Sequence, residues 1–250
     1  TSHQKILGLK SGETPDNPRR WTSSFLESFL AKAYRRPARD GEAERFLALY
    51  DRAAGRGDPF EERLKLVIKG ILVSPDFMFR LETPARSEKL QPLADYELAS
   101  RLSYFLWNTS PDEKLLEFAR SGKLGAVVSS EVDRLVADDR FQQFADEFVS
   151  QWLSLDKFDV VNINHGSFPR LNRETRRELR KEPVSFVTHL LRANLPLSNL
   201  IDSDFIMVNE VVEDYYGITG YAGQGFDFIP VRHESKTLGG VLTQAAILSG

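Results

Sequence analysis

The chain has 250 residues, 41% of them hydrophobic and 28% charged, with a net charge of −3, four histidines and no cysteine. That size and apolar content suffice for one large domain or two small ones with cores of their own. The lack of thiols excludes disulfides, thiolate nucleophiles, Cys-ligated zinc and covalent c-type haem attachment within these residues. No apolar run approaches the ~18 residues of a membrane span.

The opening "TSHQKILGLKSGETPDNPRRW" has no apolar stretch of the kind a secretory leader needs. A helix is expected from Trp21 to Arg36, with Phe25, Leu26, Phe29, Leu30 and Ala33 on one stripe and Pro37 ending it. A second, about Glu42 to Ala54, offers Phe46, Leu47 and Tyr50 before Gly55 and Gly57. "DPFEE" opens a third, with Asp58 as N-cap, Pro59 at the first helical position and Glu61 and Glu62 at the positive end of the dipole. Residues 81–92 are polar and proline-containing, and are read as the internal boundary.

Beyond it, Leu98, Ala99, Leu102, Phe105 and Leu106 form a broad apolar face. "SPDE", Ser110 to Glu113, reads as a capping box, so the break at Asn108 is a corner between two helices. Helices follow at about Ser130 to Ala137 and at Phe141 to Leu155, the latter with Phe144, Phe148, Trp152 and Leu155 on one side. Residues 156–171 read as irregular. A long helix from about Asn172 to Ala193 contains Pro183, which predicts a kink near Arg180. Ser203 to Ile218 reads as a short extended piece and then a helix closed by Gly217. Residues 219–234 are rich in glycine and aromatics around an extended "FDFIPV", and the last residues begin another helix.

Charge is uneven: Lys and Arg exceed Asp and Glu by 4 over residues 1–80, and fall short by 6 over 81–160 and by 1 over 161–250. The basic stretches are "YRRPAR", Tyr34 to Arg39, and "RETRRELRK", Arg173 to Lys181. The second alternates with Glu174 and Glu178, which reads as a solvated, ion-paired face, so no nucleic acid partner is expected. No two histidines are spaced as a local metal pair, and no HExxH, P-loop or GxSxG motif is present. His189 lies on an apolar helix face and reads as a core or boundary residue. His165 in "NINHGSF" and His233 before a glycine-containing helix start are the candidates for ligand or base, joined by Tyr221 and Arg232 from the neighbouring loop. "GYAGQG", Gly220 to Gly225, looks like a phosphate loop only superficially. Asp202 and Asp204 read as a cap and a solvated group, and Asn209 as an N-cap. No catalytic motif emerges, and whether the chain is an enzyme stays open.

Several long stretches, in order, resemble modules of large planctomycete-type exported proteins associated with cytochrome c domains, themselves described as domains of unknown function. "FLAKAYRRPARDGEAERFLALYDRA" with "FEERLKLVIKGILVSPDFMFRLE" resembles one helical module. "LADYELASRLSYFLWNTSPDEKLLEFARSGKL" through "LIDSDFIMVNEVVEDYYGI" resembles the next, and "LGGVLTQAAILSG" the opening of a third. The resemblance implies a bacterial protein of the periplasm or cell surface, with haem c in a downstream module and no cofactor or metal in this chain.

The expected architecture is all-α: an N-terminal extension (1–19), a three-helix module (20–83) packed beside a larger helical domain (91–218), and the start of a third module (219–250). A minor irregular or two-stranded element lies near the C-terminus. The leading functional expectation is a non-catalytic scaffold positioning electron-transfer modules at the cell envelope, its partners being haem-bearing modules of the same polypeptide. A redox enzyme domain acting on an extracellular polymer, and a carbohydrate- or protein-binding module using Tyr221, Phe226 and Phe228, are the alternatives.

Overall fold

The structure is a computed structural model that describes residues 6–10, 12–80, 91–164, 166–221, 225–235 and 237–249. The fold is all-α, with one two-stranded antiparallel ribbon among the described residues. Two compact units divide the chain, one of residues 1–104 with 109–128, the other of residues 105–108 with 129–250.

The first unit opens with α1 (Pro18–Ala33), α2 (Glu42–Gly55) and α3 (Phe60–Leu72). Asn17 starts α1 by accepting from the Arg20 N–H at 3.0 Å, with Pro18 at the first helical position. The helix ends before the expected Arg36, because Arg35 takes a left-handed φ of 59°. α3 begins one residue later than expected: Pro59 is its N-cap, and Asp58 instead ion-pairs with Arg56. Leu26, Leu30 and Tyr34 meet Phe46 and Tyr50 of α2 and Phe60, Leu64, Val67 and Ile71 of α3 in one buried cluster. At roughly 1.5–3 kcal/mol for each fully buried large side chain, this cluster holds the three helices together. Phe25 and Phe29, expected in the same stripe, lie at its border, stacked in a row with Trp21 at 5.2 and 5.0 Å. Gly70 lets α2 and α3 approach, since a Cβ there would sit 3.1 Å from Leu49 Cδ1.

The short α4 (Pro75–Met78) follows, and then α5 (Asp95–Trp107), α6 (Glu113–Arg120) and α7 (Leu124–Ala137). Asp112, not Ser110, caps α6, accepting from the Leu115 N–H at 3.0 Å. The Ser110 hydroxyl faces that of Tyr104 instead, at 3.2 Å. α7 starts at Leu124 rather than near Ser130, because Asp95 accepts from the Leu124 N–H at 3.0 Å.

The second unit is built on α10 (Arg173–Arg192), which touches α8 (Phe141–Trp152), α9 (Asp156–Val160), β1 (Phe205–Val208), α11 (Glu210–Tyr216) and α12 (Ala245–Leu248). α9 falls inside the stretch expected to be irregular. Asn172 caps α10 by accepting from the N–H groups of Glu174 and Thr175, and the helix runs through the buried Pro183 without a break. β1 pairs antiparallel with β2 (Ile229–Arg232), Phe205 opposite Arg232 and Val208 opposite Ile229. Trp107 donates its indole N–H to the Leu135 carbonyl at 2.9 Å, and the Arg140 guanidinium lies over its ring.

Phe144, Phe148 and Trp152 share a side of α8, with Phe148 and Trp152 exposed on it, and the buried row is Phe141, Ala145 and Val149. Phe105, expected in the core, is likewise 65% exposed. Among the described residues no helix is long and apolar enough to cross a membrane.

Candidate functional site

Two titratable groups of the second unit, Glu178 and Glu182, lie on the buried side of α10. The run Glu178, Leu179, Glu182, Pro183, Phe186 and Leu190 has core spacing, and every member is buried. Two carboxylates one turn apart therefore enter the interior, and their surroundings treat them differently. Glu178 accepts from Lys181 Nζ at 2.9 Å, Arg177 Nε at 2.9 Å and Asn209 Nδ2 at 3.0 Å. Burial pushes its carboxyl up, but the hydrogen bonds from Lys181 and Arg177, the Lys181 charge and Asn209 together hold it below the ordinary value. "RETRRELRK" is thus ion-paired as expected, but Glu178 is an interior acceptor and not a solvated residue.

Among the described residues Glu182 has a single hydrogen-bond partner. Its Oε2 accepts from the Tyr216 hydroxyl at 2.7 Å, and its Oε1 is buried without one. Burial pushes its carboxyl up to about 8, against a smaller lowering by Tyr216, so it is a neutral acid at pH 7. The Tyr216 oxygen in turn accepts from the Ala245 N–H at 3.0 Å, which joins α10, α11 and α12 at one point. Gln244, the residue before Ala245, is 1% exposed with both amide atoms unpartnered. Asn209 caps α11, accepting from the Val212 N–H at 3.0 Å, while its amide reaches Glu178.

A neutral carboxylic acid beside a phenol can hold a proton at pH 7, but a general acid must reach within hydrogen-bond distance of a substrate. The Glu182 carboxyl is enclosed by protein, and the Tyr216 oxygen already serves Glu182 and Ala245. This arrangement ties three elements together. The signal for it in the sequence is a glutamate set within an apolar stripe.

The sequence-predicted candidates lie around the ribbon. Tyr221 donates its hydroxyl to the carbonyls of Gly225, at 3.2 Å, and Asp227, at 3.0 Å, and its N–H to Glu213 Oε1 at 2.7 Å. Arg232 pairs with Asp204 at 2.9 Å in an exposed bridge at the far end of β2. Beside it the His233 N–H donates to the Asp204 carbonyl at 3.0 Å. Both His233 ring nitrogens are buried, without a hydrogen-bond partner among the described residues. Arg232 and His233 are chain neighbours that share Asp204 as a partner, and among the described residues no hydrogen bond or ion pair joins Tyr221 to them. His165, and residues 222–224 of "GYAGQG", lie outside the described residues.

At the glycines after His233 another segment passes close: Cβ atoms at Gly239 and Gly240 would lie 2.6 Å from the Ser203 carbonyl oxygen and 2.5 Å from that of Ile201. The aromatics of the glycine-rich loop do not form an exposed row, since Phe226 is exposed while Phe228 and Tyr221 are half-buried. His189 sits edge-on to Phe205 at 5.3 Å, and burial lowers its pKa.

In the first unit the basic stretch Tyr34 to Arg39 turns Arg35 and Arg36 inward, while Arg39 stays exposed. Arg35, 6% exposed, donates to the carbonyls of Asp76 at 2.7 Å, Phe77 at 3.3 Å and Phe79 at 3.0 Å. Arg36 bridges Glu42 and Asp76, at 2.8 and 2.7 Å. A groove of about 450 Å³ lies between α1 and the start of α6, with Phe29, Ala33, Phe77 and Leu116 as its floor and Lys32 and Glu113 at its rim. Among the described residues no group of three or more His, Asp or Glu is placed to hold a metal ion.

Fold and interior together define an all-helical protein with a single small ribbon, stitched by buried polar side chains. The chain belongs to the PSD4 family, a protein of unknown function (DUF1592), which matches residues 93–218, half of its length. Residues 22–82 match a second family, PSD5, also a protein of unknown function (DUF1595). No curated protein and no solved structure matches the chain.

Proposed function

We propose that this chain is a non-catalytic helical scaffold within a larger exported protein of the planctomycete type, where it positions haem c modules of the same polypeptide at the periplasmic or outer face of the cell envelope. The observation that carries the reading is the direction of its buried polar groups. Arg35, Glu178, and Glu182 with Tyr216 each join two or more segments of the chain, as groups that fix one arrangement of helices do. The haem context comes from the resemblance of the ordered modules. A second reading, a redox enzyme domain acting on an extracellular polymer, is favoured by the unpartnered ring nitrogens of His233 beside Arg232.

The test is expression of the natural full-length polypeptide with c-type haem maturation, followed by its haemochrome spectrum and its redox turnover on polysaccharide, with and without His233→Ala. The scaffold predicts haem in the full-length protein and no change of turnover in the variant. Haem with turnover that His233→Ala abolishes supports the enzyme instead, and a full-length protein without haem removes the electron-transfer role.

A further inference from the structure

The last residues of the second unit are held to it by little. Residues 239–249 satisfy one another: the Gly239 N–H donates to the Thr243 hydroxyl at 2.9 Å, and Gln244, Ile247, Leu248 and Ser249 donate their N–H groups within the segment. Among the described residues a single hydrogen bond leaves it, from the Ala245 N–H to the Tyr216 oxygen at 3.0 Å. Val241 and Ala246 are its buried apolar anchors, while Leu242 and Leu248 are exposed. Gln244 is buried too, with both amide atoms unpartnered among the described residues. A buried amide gains hydrogen bonds from water once uncovered, so Gln244 favours release. Segments with few buried apolar contacts open locally while the rest of a protein stays folded. Gly239 and Gly240, at φ 131° and 73°, supply a hinge at the entry to the segment.

That one hydrogen bond ends on a phenol committed to a carboxyl, so Glu182 lies one bridging oxygen from the segment. Protonated, Glu182 is neutral and tolerates enclosure; ionised, it is a buried charge with one donor. Among the described residues no cation pairs with it. Residues 239–249 and β1 carry no ionisable side chain. On α10, Arg177 and Lys181 are engaged by Glu178, Arg180 by Asp156 and Asp159 of α9, and His189 stands against Phe205. Lys157 of α9, Asp146 and Glu147 of α8, and Glu210 and Asp214 of α11 are exposed, while Glu213 accepts from the Tyr221 N–H. Tyr215 is edge-on to Tyr216 at 5.4 Å. Burial, against the Tyr216 hydrogen bond, keeps Glu182 protonated to about 8, and uncovering returns it towards 4.5. Between those values the covered form holds the proton and the uncovered form does not, so release grows as pH rises through the window and levels off above it.

We propose that residues 239–249 are a proton-controlled latch, shut over α10 and α11 while Glu182 keeps its proton and released when the proton is lost. Release uncovers the Glu182 carboxyl and the Tyr216 hydroxyl, and it leaves the remaining helices of the unit folded.

The chain has no cysteine, so a single introduced thiol reports its own uncovering, because only an accessible thiolate reacts. Val241→Cys, at a position 5% exposed, places it under the latch. Leu248→Cys, at an exposed position, gives the rate of an open thiol at each pH, and Val149→Cys, at a fully buried position on α8, reports opening of the rest of the unit. Rates with a methanethiosulfonate reagent are measured on the full 250-residue chain from pH 6 to 9 and divided by those of Leu248→Cys. The Val241→Cys ratio is expected to rise roughly tenfold or more from pH 6 to 8 and then level off, to stay flat when Glu182→Gln is added, and to rise without the Val149→Cys ratio following. Tyr216→Phe, which removes the one hydrogen bond to the segment, should raise the Val241→Cys ratio already at pH 6, and it serves if Glu182→Gln does not fold by circular dichroism. A flat Val241→Cys ratio in the parent background, a rise that persists with Glu182→Gln, or no increase with Tyr216→Phe overturns the proposal. So does a rise that Val149→Cys matches, which would make the event an unfolding of the whole unit.

Discussion

Two interior residues carry charges or protons whose removal has a readable consequence. An ordinary glutamate gives up its proton near 4.5, whereas Glu182 in the folded protein keeps it to about 8. Between those values the folded state is protonated and the unfolded state is not, so stability falls as pH rises through the window, by about 1 kcal/mol per pH unit, and levels off above it. Glu182→Gln keeps the shape and an acceptor for Tyr216 but has no proton to lose. Urea midpoints taken from pH 5 to 9 should fall for the parent and stay level for the variant; equal slopes would show that this carboxyl is not the linked group. Glu42 acts in the opposite sense. Its carboxyl is lowered by the Arg36 hydrogen bond, so its contribution is lost only on acidification below the ordinary range. Arg35 is the other case, a buried guanidinium satisfied by carbonyls rather than by a carboxylate. Arg35→Ala leaves the carbonyls of Asp76 and Phe79 without this donor and should cost roughly 2–4 kcal/mol. Arg35→Lys, lacking the planar fork, should recover only part of that in the same denaturation experiment.

At the level of elements, helices are legible wherever apolar spacing runs for three turns, and ends are legible only where one cap has no competitor. Asn172 and Asn209 are such caps, each a polar side chain immediately before a periodic run. Ser110 and Asp112 compete for one helix start, and the closer residue takes it while Ser110 turns to Tyr104. The segment after His233 defeats sequence reasoning for a related reason. Adjacent glycines before a helix can expose N–H groups to an anion or can let another backbone pass close by, and the sequence is the same in both cases. Here the second holds: Gly239 and Gly240 have φ of 131° and 73° and lie against the 200–203 backbone. Gly240→Ala would combine a disfavoured conformation with a clash against the Ile201 carbonyl, and should destabilise by about 2 kcal/mol or more. Gly125→Ala, in helix α7 with open space where its Cβ would lie, should instead be neutral or mildly stabilising. Melting temperatures of the pair decide this; an unaffected Gly240→Ala would mean that the close approach relaxes at no cost.

At the scale of the whole molecule, periodicity tells which residues share a face but not what covers it. That is why Phe105, one of a broad apolar face in the sequence, stands exposed, and why Glu182 is hidden within its apolar stripe. The first three helices are the opposite case, because most of what stabilises them lies close in sequence, the bond from Arg35 to the Tyr104 hydroxyl being an exception. Their buried cluster runs only from Leu26 to Ile71. The polar links that frame it, Arg19 to Asp51, Arg36 to Glu42 and Asp76, and Tyr34 to Ser74, all close within the same stretch. Residues 12–80 should therefore fold in isolation, as a helical domain with a cooperative melt. A domain of about 70 residues buries only some 60% of its unfolded surface, so its margin should be a few kcal/mol. Leu64→Ala, at a position 2% exposed in the centre of that cluster, typically costs about 2–5 kcal/mol, comparable to the whole margin. Circular dichroism of the isolated segment should show a sharp thermal transition that this substitution abolishes or shifts below room temperature. A coil spectrum for the unsubstituted segment would mean that contacts made after residue 90 are needed to hold these helices in place.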